Sequence, residues 1–485
     1  MPTDETESFR FDGQVVLPNG SKASVLVIGG FDDDDLTSLD LELFLYGDEE
    51  QRRKVNLLMT MRPEAVRWIE SNRADDGHLE VLGINNVSGK HGPHGKQSIE
   101  LDVSALQRGI SETPELEARK LFAVVRMVPS GFVHDRMFGF HATGKIEAQD
   151  YPERHPIVYS TPYGGLTLAQ SFVHYSGKEN GNKTTRRVER LVLAGEITIP
   201  AGESLRQANE VLKGHLHEVR LALSFCFRQP VYLAQINYTD HRPEALQRGP
   251  IYFRRHFHEN LTRVESDELI HSNKLGQGGL QRLVESIRNQ QRSADFTRAL
   301  SFLAVSYTST LENGFFQAFS AMETIIDIAL TGRGEQTLTE AIWKAIERPV
   351  RDTIDTAAKS VGFDPVDVKE KVAELRRPSF KKRVSRVCAY YKPTTDDLWP
   401  SCSFEDGINA AAKLRNGLFH GANYSESEEL YCALIRIRAF TERLVLRLLG
   451  WPDSELWPHR DQTLIAMNRS SSAPPAAKGT GQAIV

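Results

Sequence analysis

Near residue 265 of the 485-residue chain the spacing of apolar residues changes, and this limits the fold more than any other feature. Before it, short β-like runs such as GQVVL, KASVLVIG, LDLELFLYG, HLEVLGI and SIELDV are broken by Gly, Asn and Asp, and LDLEL and SIELDV alternate apolar and polar side chains. Alternation places every second side chain on one face, the period of a half-buried strand. Beyond it no alternating run recurs, and apolar residues return every three or four positions, as on a helix with one buried face. A chain this long exceeds one ordinary core, so the two periods are expected to occupy separate domains. The expected fold class is α+β by domain: a β-rich N-terminal region over 1–265, a linker over 266–285, a helical domain over 286–465 and a disordered tail over 466–485.

Within the first region a helical turn is expected at Glu115 to Lys120, followed by a buried strand at LFAVVRMV. Further strands are expected at RVERLVLAGEITIPAG and PVYLAQINY, with a helix from about Ser204 to Phe225 between them. In the second region RALSFLAVSYTSTLENGFFQAFSAMETIIDIAL reads as one long buried helix, with Phe315, Phe319, Met322 and Ile326 on one face. GINAAAKLRN reads as a helix ending near Arg415. A last helix carries a capping box at Ser425 and Glu428, a stripe of Leu430, Leu434, Ile437, Thr441, Leu444 and Leu448, and a stop at Gly450 and Pro452. The closing NRSSSAPPAAKGTGQAIV is too small and polar to offset its ordering.

A net charge of −5 gives no overall attraction to nucleic acid, so such binding would need a local basic patch. The cysteines, Cys226, Cys388, Cys402 and Cys432, lack the paired spacing of a zinc site and read as reduced thiols. MPTDETESFRF is acidic where an export signal would be basic and then apolar, and no run of about 18 apolar residues occurs. A cytoplasmic protein without a membrane span is the expectation.

The chemistry-bearing stretch is AAKLRNGLFHGANYSESEEL, in which Arg415 and His420 stand with four residues between them. The same spacing occurs at Arg73 to His78 and at Arg136 to His141, so spacing by itself says little. Context separates the three. Arg73 precedes the turn-forming ADDG and Arg136 lies in a Phe- and Gly-rich strand pattern, whereas Arg415 falls between two expected helices. Along an unbroken helix the two side chains would point about 140° apart. Gly417 and Gly421 permit a turn that brings them together. A His titrates near neutral pH and can pass protons to or from reacting oxygens, while an Arg stays charged and holds two phosphate oxygens at once. The bland alternative is an Arg capping helix carbonyls beside a satisfied hinge histidine.

FQAFSAMETIID with its Glu323, a helix running into Arg415-Asn416-x-x-x-His420, and a long final helix together resemble the HEPN domain, many members of which are metal-independent ribonucleases. The polar residue after the Arg belongs to that family's pattern; Asn416 supplies it, whereas Ala74 and Met137 stand in the other two copies. The resemblance covers about residues 300–450. FDGQVVLPNG and the segment Val219 to Tyr238 are similar to the N-terminal domain of ApeA-type phage-defence proteins. These resemblances imply an all-α HEPN-like domain acting as an RNA endonuclease of the abortive-infection kind. Cleavage would use the RNA's own 2′-hydroxyl and leave a 2′,3′-cyclic phosphate, with no metal and no cofactor. Arg415 and His420 would be catalytic, Asn416 would orient the His or the phosphate, and Glu323 would fix the Arg or tune the His. The implied partners are RNA, transfer RNA included, a second copy paired through the helical domain, and a phage-derived trigger at the N-terminal region.

The run RRPSFKKRVSRV supplies Arg376, Arg377, Lys381, Lys382, Arg383 and Arg386, a cluster able to track an RNA backbone or to serve as a solvated face. FDDDD, Asp32 to Asp35, lacks calcium-loop spacing and reads as a loop tip. GQGG at Gly276 to Gly279 reads as an interdomain hinge, and His256 and His258 lack a third metal ligand. Two rival readings stay open: a non-catalytic dimerising scaffold with a ligand-binding β region, and an enzyme built in the β half on carboxylates such as Asp32 and Glu42.

Overall fold

A computed structural model describes residues 6–16, 22–32, 39–45, 48–50, 52–53, 68–71, 78–91, 97–108, 110, 112–128, 138–140, 146–148, 156–179, 182–239, 246–252, 269–270, 272–276, 278–333, 340–372, 378–419, 427–456 and 461–472. Among the described residues strands predominate up to Tyr252, interrupted by the long helix Leu205–Cys226, and only helices follow from Ser272, so the change of apolar period does mark a change of architecture. The chain divides into two compact units. One comprises Met1–Leu223, Val231–Ser266 and Ser272–Val284, and the other Ser224–Pro230, Asp267–His271 and Glu285–Val485. Among the described residues no helix is long and apolar enough to cross a membrane.

Among the described residues of the first unit, twelve strands form one sheet with antiparallel neighbours. Gln97–Arg108, Leu39–Leu45, Lys22–Asp32, Thr6–Val16, Trp68–Ser71 and His78–His91 follow in order, and His78–His91 pairs back onto Gln97–Arg108. These six close on themselves, which removes free edges. Leu246–Tyr252 shares the other side of Gln97–Arg108 with Leu39–Leu45, and the sheet runs on through Tyr232–Thr239, Arg119–Val128, Asn182–Ile199 and Gly164–Glu179 to Ile157–Thr161. In Arg119–Val128 the alternate residues Leu121, Ala123, Val125 and Met127 are buried.

The helical turn expected at Glu115 to Lys120 is not formed. Its backbone groups bond elsewhere: the Glu115 amide donates to the Glu203 carbonyl at 3.1 Å, the Glu115 carbonyl accepts from Gly202 at 2.8 Å, and Arg119 already belongs to the strand. The register also separates the proposed carboxylate pair, because Glu42 lies opposite Ile28, four residues along the strand from Asp32. That is roughly 13 Å between the backbone positions at 3.3 Å per residue.

Helix α1, Leu205–Cys226, starts where expected because Ser204 and Gln207 form a capping box: the Ser204 amide donates to Gln207 Oε1 at 2.9 Å, and the Gln207 amide to Ser204 Oγ at 3.2 Å. Leu205, Ala208, Leu212, Leu216 and Val219 form its buried stripe. The Tyr238 phenol donates to Asn209 Oδ1 at 2.8 Å and so locks the helix to the Tyr232–Thr239 strand.

The remaining helices are α2 (Ser272–Leu275), α3 (Gly279–Arg288), α4 (Ser293–Ser306), α5 (Leu311–Ala329), α6 (Glu340–Val361), α7 (Val366–Val372), α8 (Phe380–Tyr391), α9 (Phe404–Phe419), α10 (Ser427–Leu449) and α11 (Gln462–Ser472). The GQGG run carries the turn between α2 and α3, with Gly278 at φ 79. α5 packs against α4, α8, α9 and α10 and buries Phe315, Phe319, Met322 and Ile326 as the pattern predicts. The single long helix expected here is broken between α4 and α5. Ser306 Oγ donates to the Leu303 carbonyl at 2.6 Å and Ser309 Oγ to the Val305 carbonyl at 2.9 Å, so short hydroxyl side chains compete with the backbone ladder.

That break is fastened by a buried polar cluster. Glu442 of α10 accepts a bidentate pair from Arg228, Nε to Oε1 at 2.8 Å and Nη2 to Oε2 at 2.7 Å, and a short bond from the Tyr307 phenol. Arg228 adopts φ 52, and Arg438, one turn before Glu442, donates from Nε to Ser306 Oγ at 3.0 Å. Burial, with Glu442 second, keeps the Tyr307 phenol protonated well above its usual range.

Stop signals are borne out at α10. Gly450 has φ 64, its amide donates to Arg447 and the Trp451 amide to Leu446, which together form a Schellman end. Ser425 lies outside the described residues. Of the expected tail, residues 466–472 are helical in α11, because Leu464 and Met467 are buried and Asn468 Nδ2 donates to the Asp397 carbonyl at 2.7 Å. Glu442→Leu should lower the stability of this unit by about 3–5 kcal/mol, since the buried Arg228 loses its bidentate carboxylate, and Arg228→Met with Glu442→Leu should recover most of that loss. Urea unfolding followed by tryptophan fluorescence, to which the buried Trp343, Trp399 and Trp451 contribute, measures both.

Candidate functional site

Three helices bring the sequence-predicted groups together. α5 is apolar on most of its surface but carries Glu323 and, one turn on, Asp327. α9 crosses it with Arg415, and α8 with Arg383. Arg415 Nη2 donates to Glu323 Oε2 at 2.9 Å, and Arg383 Nη1 forms a short ion pair with Asp327 Oδ1. Each carboxylate on this edge of α5 therefore holds one arginine from a neighbouring helix.

Local packing explains why α9 presents Arg415 here. Gly407 lies against the Trp399 indole, where a Cβ would collide with the ring, so the missing side chain sets how closely α9 approaches. Ile408, Ala411 and Leu414 are buried on the inner face, which leaves Arg415 half-buried at its margin. The helix expected to end near Arg415 continues through Gly417 to Phe419. Gly costs about 1 kcal/mol relative to Ala inside a helix, an amount that the packing of α9 overrides. Gly417 is therefore helical and makes no hinge. His420 and Gly421 lie outside the described residues.

The guanidinium of Arg415 is held on several sides. Nη1 donates to Asn416 Oδ1 at 3.0 Å, Nη2 to Glu323, and the charge lies 5.4 Å from the ring centroid of the buried Phe319 and 6.0 Å from that of Phe419. Among the described residues these bonds engage two of its five N–H groups. Three donors remain on a side chain that is 34% exposed, beside a carboxylate that is 29% exposed. Such an arrangement has the geometry to suit an anion with several acceptor oxygens, such as a phosphodiester: Glu323 and Asn416 orient the fork, and the other donors have no partner among the described residues.

The basic cluster is split by α8. Val384 and Val387 are buried, Arg383 and Arg386 are half-buried on the inner side, and Lys381 and Lys382 are exposed on the outer side. Arg383 stands one turn along α5 from the Arg415 site but is engaged by Asp327 and lies 5.7 Å from the Phe380 ring, which itself packs 5.5 Å from Phe319. Arg376, Arg377, Asp33 to Asp35, His256, His258, Arg73, Arg136 and His141 lie outside the described residues. Among the described residues no group of three or more His, Cys, Asp or Glu is arranged to hold a metal ion.

Two contributors escaped the sequence reading, Phe319 and Phe419, whose rings flank Arg415. The signal was present, since Arg415 and Phe419 are an i,i+4 pair once the helix is continued past Gly417. Comparison with family models, curated proteins and solved structures finds no match to this chain. The half-exposed Arg415–Glu323 pair should contribute little to folding. Glu323→Gln is expected to shift the urea midpoint by the equivalent of less than about 1 kcal/mol, in contrast to the loss at Glu442.

Proposed function

We propose that the protein is a metal-independent RNA endonuclease of the bacterial abortive-infection kind, with a HEPN-like helical domain as its nuclease and the strand-rich region as its regulator. The observation that carries this reading is the orientation of Arg415. The guanidinium is fixed by Glu323 and Asn416 while keeping open donors at a solvent-accessible margin of the helical unit.

In this reading the open N–H groups of Arg415 hold the non-bridging oxygens of one phosphodiester and stabilise the charge that grows as the 2′-hydroxyl attacks. Because Glu323 and Asn416 hold the side chain in place beforehand, little reorganisation accompanies the reaction. His420, next in sequence after the last residue of α9, takes the proton from the 2′-oxygen or gives one to the departing 5′-oxygen. The bond from phosphorus to the 5′-oxygen breaks as that from the 2′-oxygen forms, which yields a 2′,3′-cyclic phosphate and a free 5′-hydroxyl. Lys381 and Lys382 supply longer-range attraction to the RNA backbone. One Arg and one His form a sparse centre, so two copies paired about a two-fold axis, with both motifs in one cleft, complete the proposal. The strand-rich region senses a phage-derived trigger and restrains cleavage until it arrives, since an unrestrained ribonuclease in the cytoplasm would damage its own cell.

The test is incubation of the purified protein with total and transfer RNA in EDTA. Cutting by the wild type, residual in the restrained protein and full once triggered, should fall at least about a hundredfold in rate in Arg415→Ala and in His420→Ala, the scale set by one oriented charge or one general acid or base. The same comparison in phage-infected cells addresses the triggered state. Equal cutting by all three proteins would overturn the assignment, and cellular protection unchanged by either substitution would favour a non-catalytic scaffold.

A further inference from the structure

Phe419 is 73% exposed, unusual for a large aromatic residue inside the last turn of a packed helix. Leaving such a ring in water forgoes most of the stabilisation its burial would bring. It is nevertheless held in place. Phe316 of α5 meets it nearly perpendicular, at 78° with ring centroids 5.9 Å apart, and the Arg415 guanidinium lies 6.0 Å from its centroid. A fixed, open π-face thus stands directly beside a fixed, partly open guanidinium. A nucleotide carries the complements side by side, a flat base and a phosphate.

We infer that Phe419 is the platform on which the base adjoining the phosphate bound by Arg415 stacks, so that the site selects unpaired RNA and accepts any base. The inference rests on the ribonuclease reading and adds its substrate class. Bases within an A-form duplex are stacked on one another and offer only their edges, whereas the unstacked bases of loops and single strands offer whole faces to aromatic side chains. Every base has such a face, so a stacking platform without hydrogen-bonding groups imposes conformation rather than sequence. Phe419 adds no donor or acceptor of its own.

The experiment uses the full-length protein and a short single-stranded RNA that is 2′-O-methylated throughout, so that it cannot be cut, with 2-aminopurine at alternate positions as the stacking probe. The wild type and Phe419→Tyr should bind it and change its fluorescence. Phe419→Leu, which keeps the apolar bulk but lacks a π-face, should bind about 5- to 150-fold more weakly and lose that change. This range corresponds to about 1–3 kcal/mol per stacked base at 1.4 kcal/mol per tenfold. A blunt duplex of the same sequence should bind the wild type more weakly than the single strand. Equal binding by wild type and Phe419→Leu, equal binding of duplex and single strand, or no binding by the wild type would overturn the inference. So would a change of oligomeric state in Phe419→Leu by light scattering, which would make the ring a contact between copies. The readout is binding of uncuttable RNA, so it stands apart from cleavage: loss of Phe419 dependence defeats this inference alone, and equal cutting by wild type, Arg415→Ala and His420→Ala defeats only the assignment of cleavage to Arg415 and His420.

Discussion

Glu442 cannot be buried alone. A carboxylate at 2% exposure in the middle of α10 requires a cation and further donors, and it draws them from distant parts of the chain. Arg228 comes from 214 residues upstream, in a left-handed backbone conformation, and Tyr307 comes from the break between α4 and α5. Arg438 secures the same break through Ser306. The start of α5 is thereby registered against α10, and about three turns later α5 brings Glu323 to its half-exposed edge. The candidate site inherits its geometry from a cluster that takes no part in it.

The two arginine–carboxylate pairs Arg228–Glu442 and Arg415–Glu323 of the helical unit differ chiefly in burial. In the Arg228–Glu442 pair a lost partner strands a charge in the interior, which is costly. In the Arg415–Glu323 pair water can replace a lost partner, so little stability is at stake. The same exposure is what makes Arg415 serviceable. Donors left open on a buried guanidinium would carry a desolvation penalty, whereas those of Arg415, 34% exposed, can be satisfied by solvent. An arginine that is oriented yet not saturated has the properties expected of a phosphate ligand.

Much of the architecture was legible because it rests on local periodicity. Apolar β-like runs located the strands around Val125 and Ile236, the three-four spacing of Phe315, Phe319, Met322 and Ile326 gave the inner face of α5, and α1 was expected from about Ser204. What failed was decided by competition between local and tertiary terms. The Ser306 to Thr310 run broke a helix that apolar spacing alone would continue, while packing against α5 and Trp399 carried α9 through Gly417 where propensity alone would stop it. Ending α9 too early concealed the pairing of Arg415 with Phe419. The Arg415–Glu323 pairing was expected only through the resemblance to a family pattern, since a separation of 92 residues leaves no local trace of it. The Arg228–Glu442 pair left none either.

The central claim is that Arg415 serves a reaction in which RNA is cut by its own 2′-hydroxyl. It is tested most directly with an oligonucleotide bearing a single 2′-deoxy substitution immediately 5′ of a mapped cleavage site, incubated with the wild-type protein in EDTA. The account predicts that cutting at that phosphodiester disappears while neighbouring sites are still cleaved to 2′,3′-cyclic ends. Undiminished cutting at the substituted position would show that water or another nucleophile attacks the phosphorus, and would contradict it.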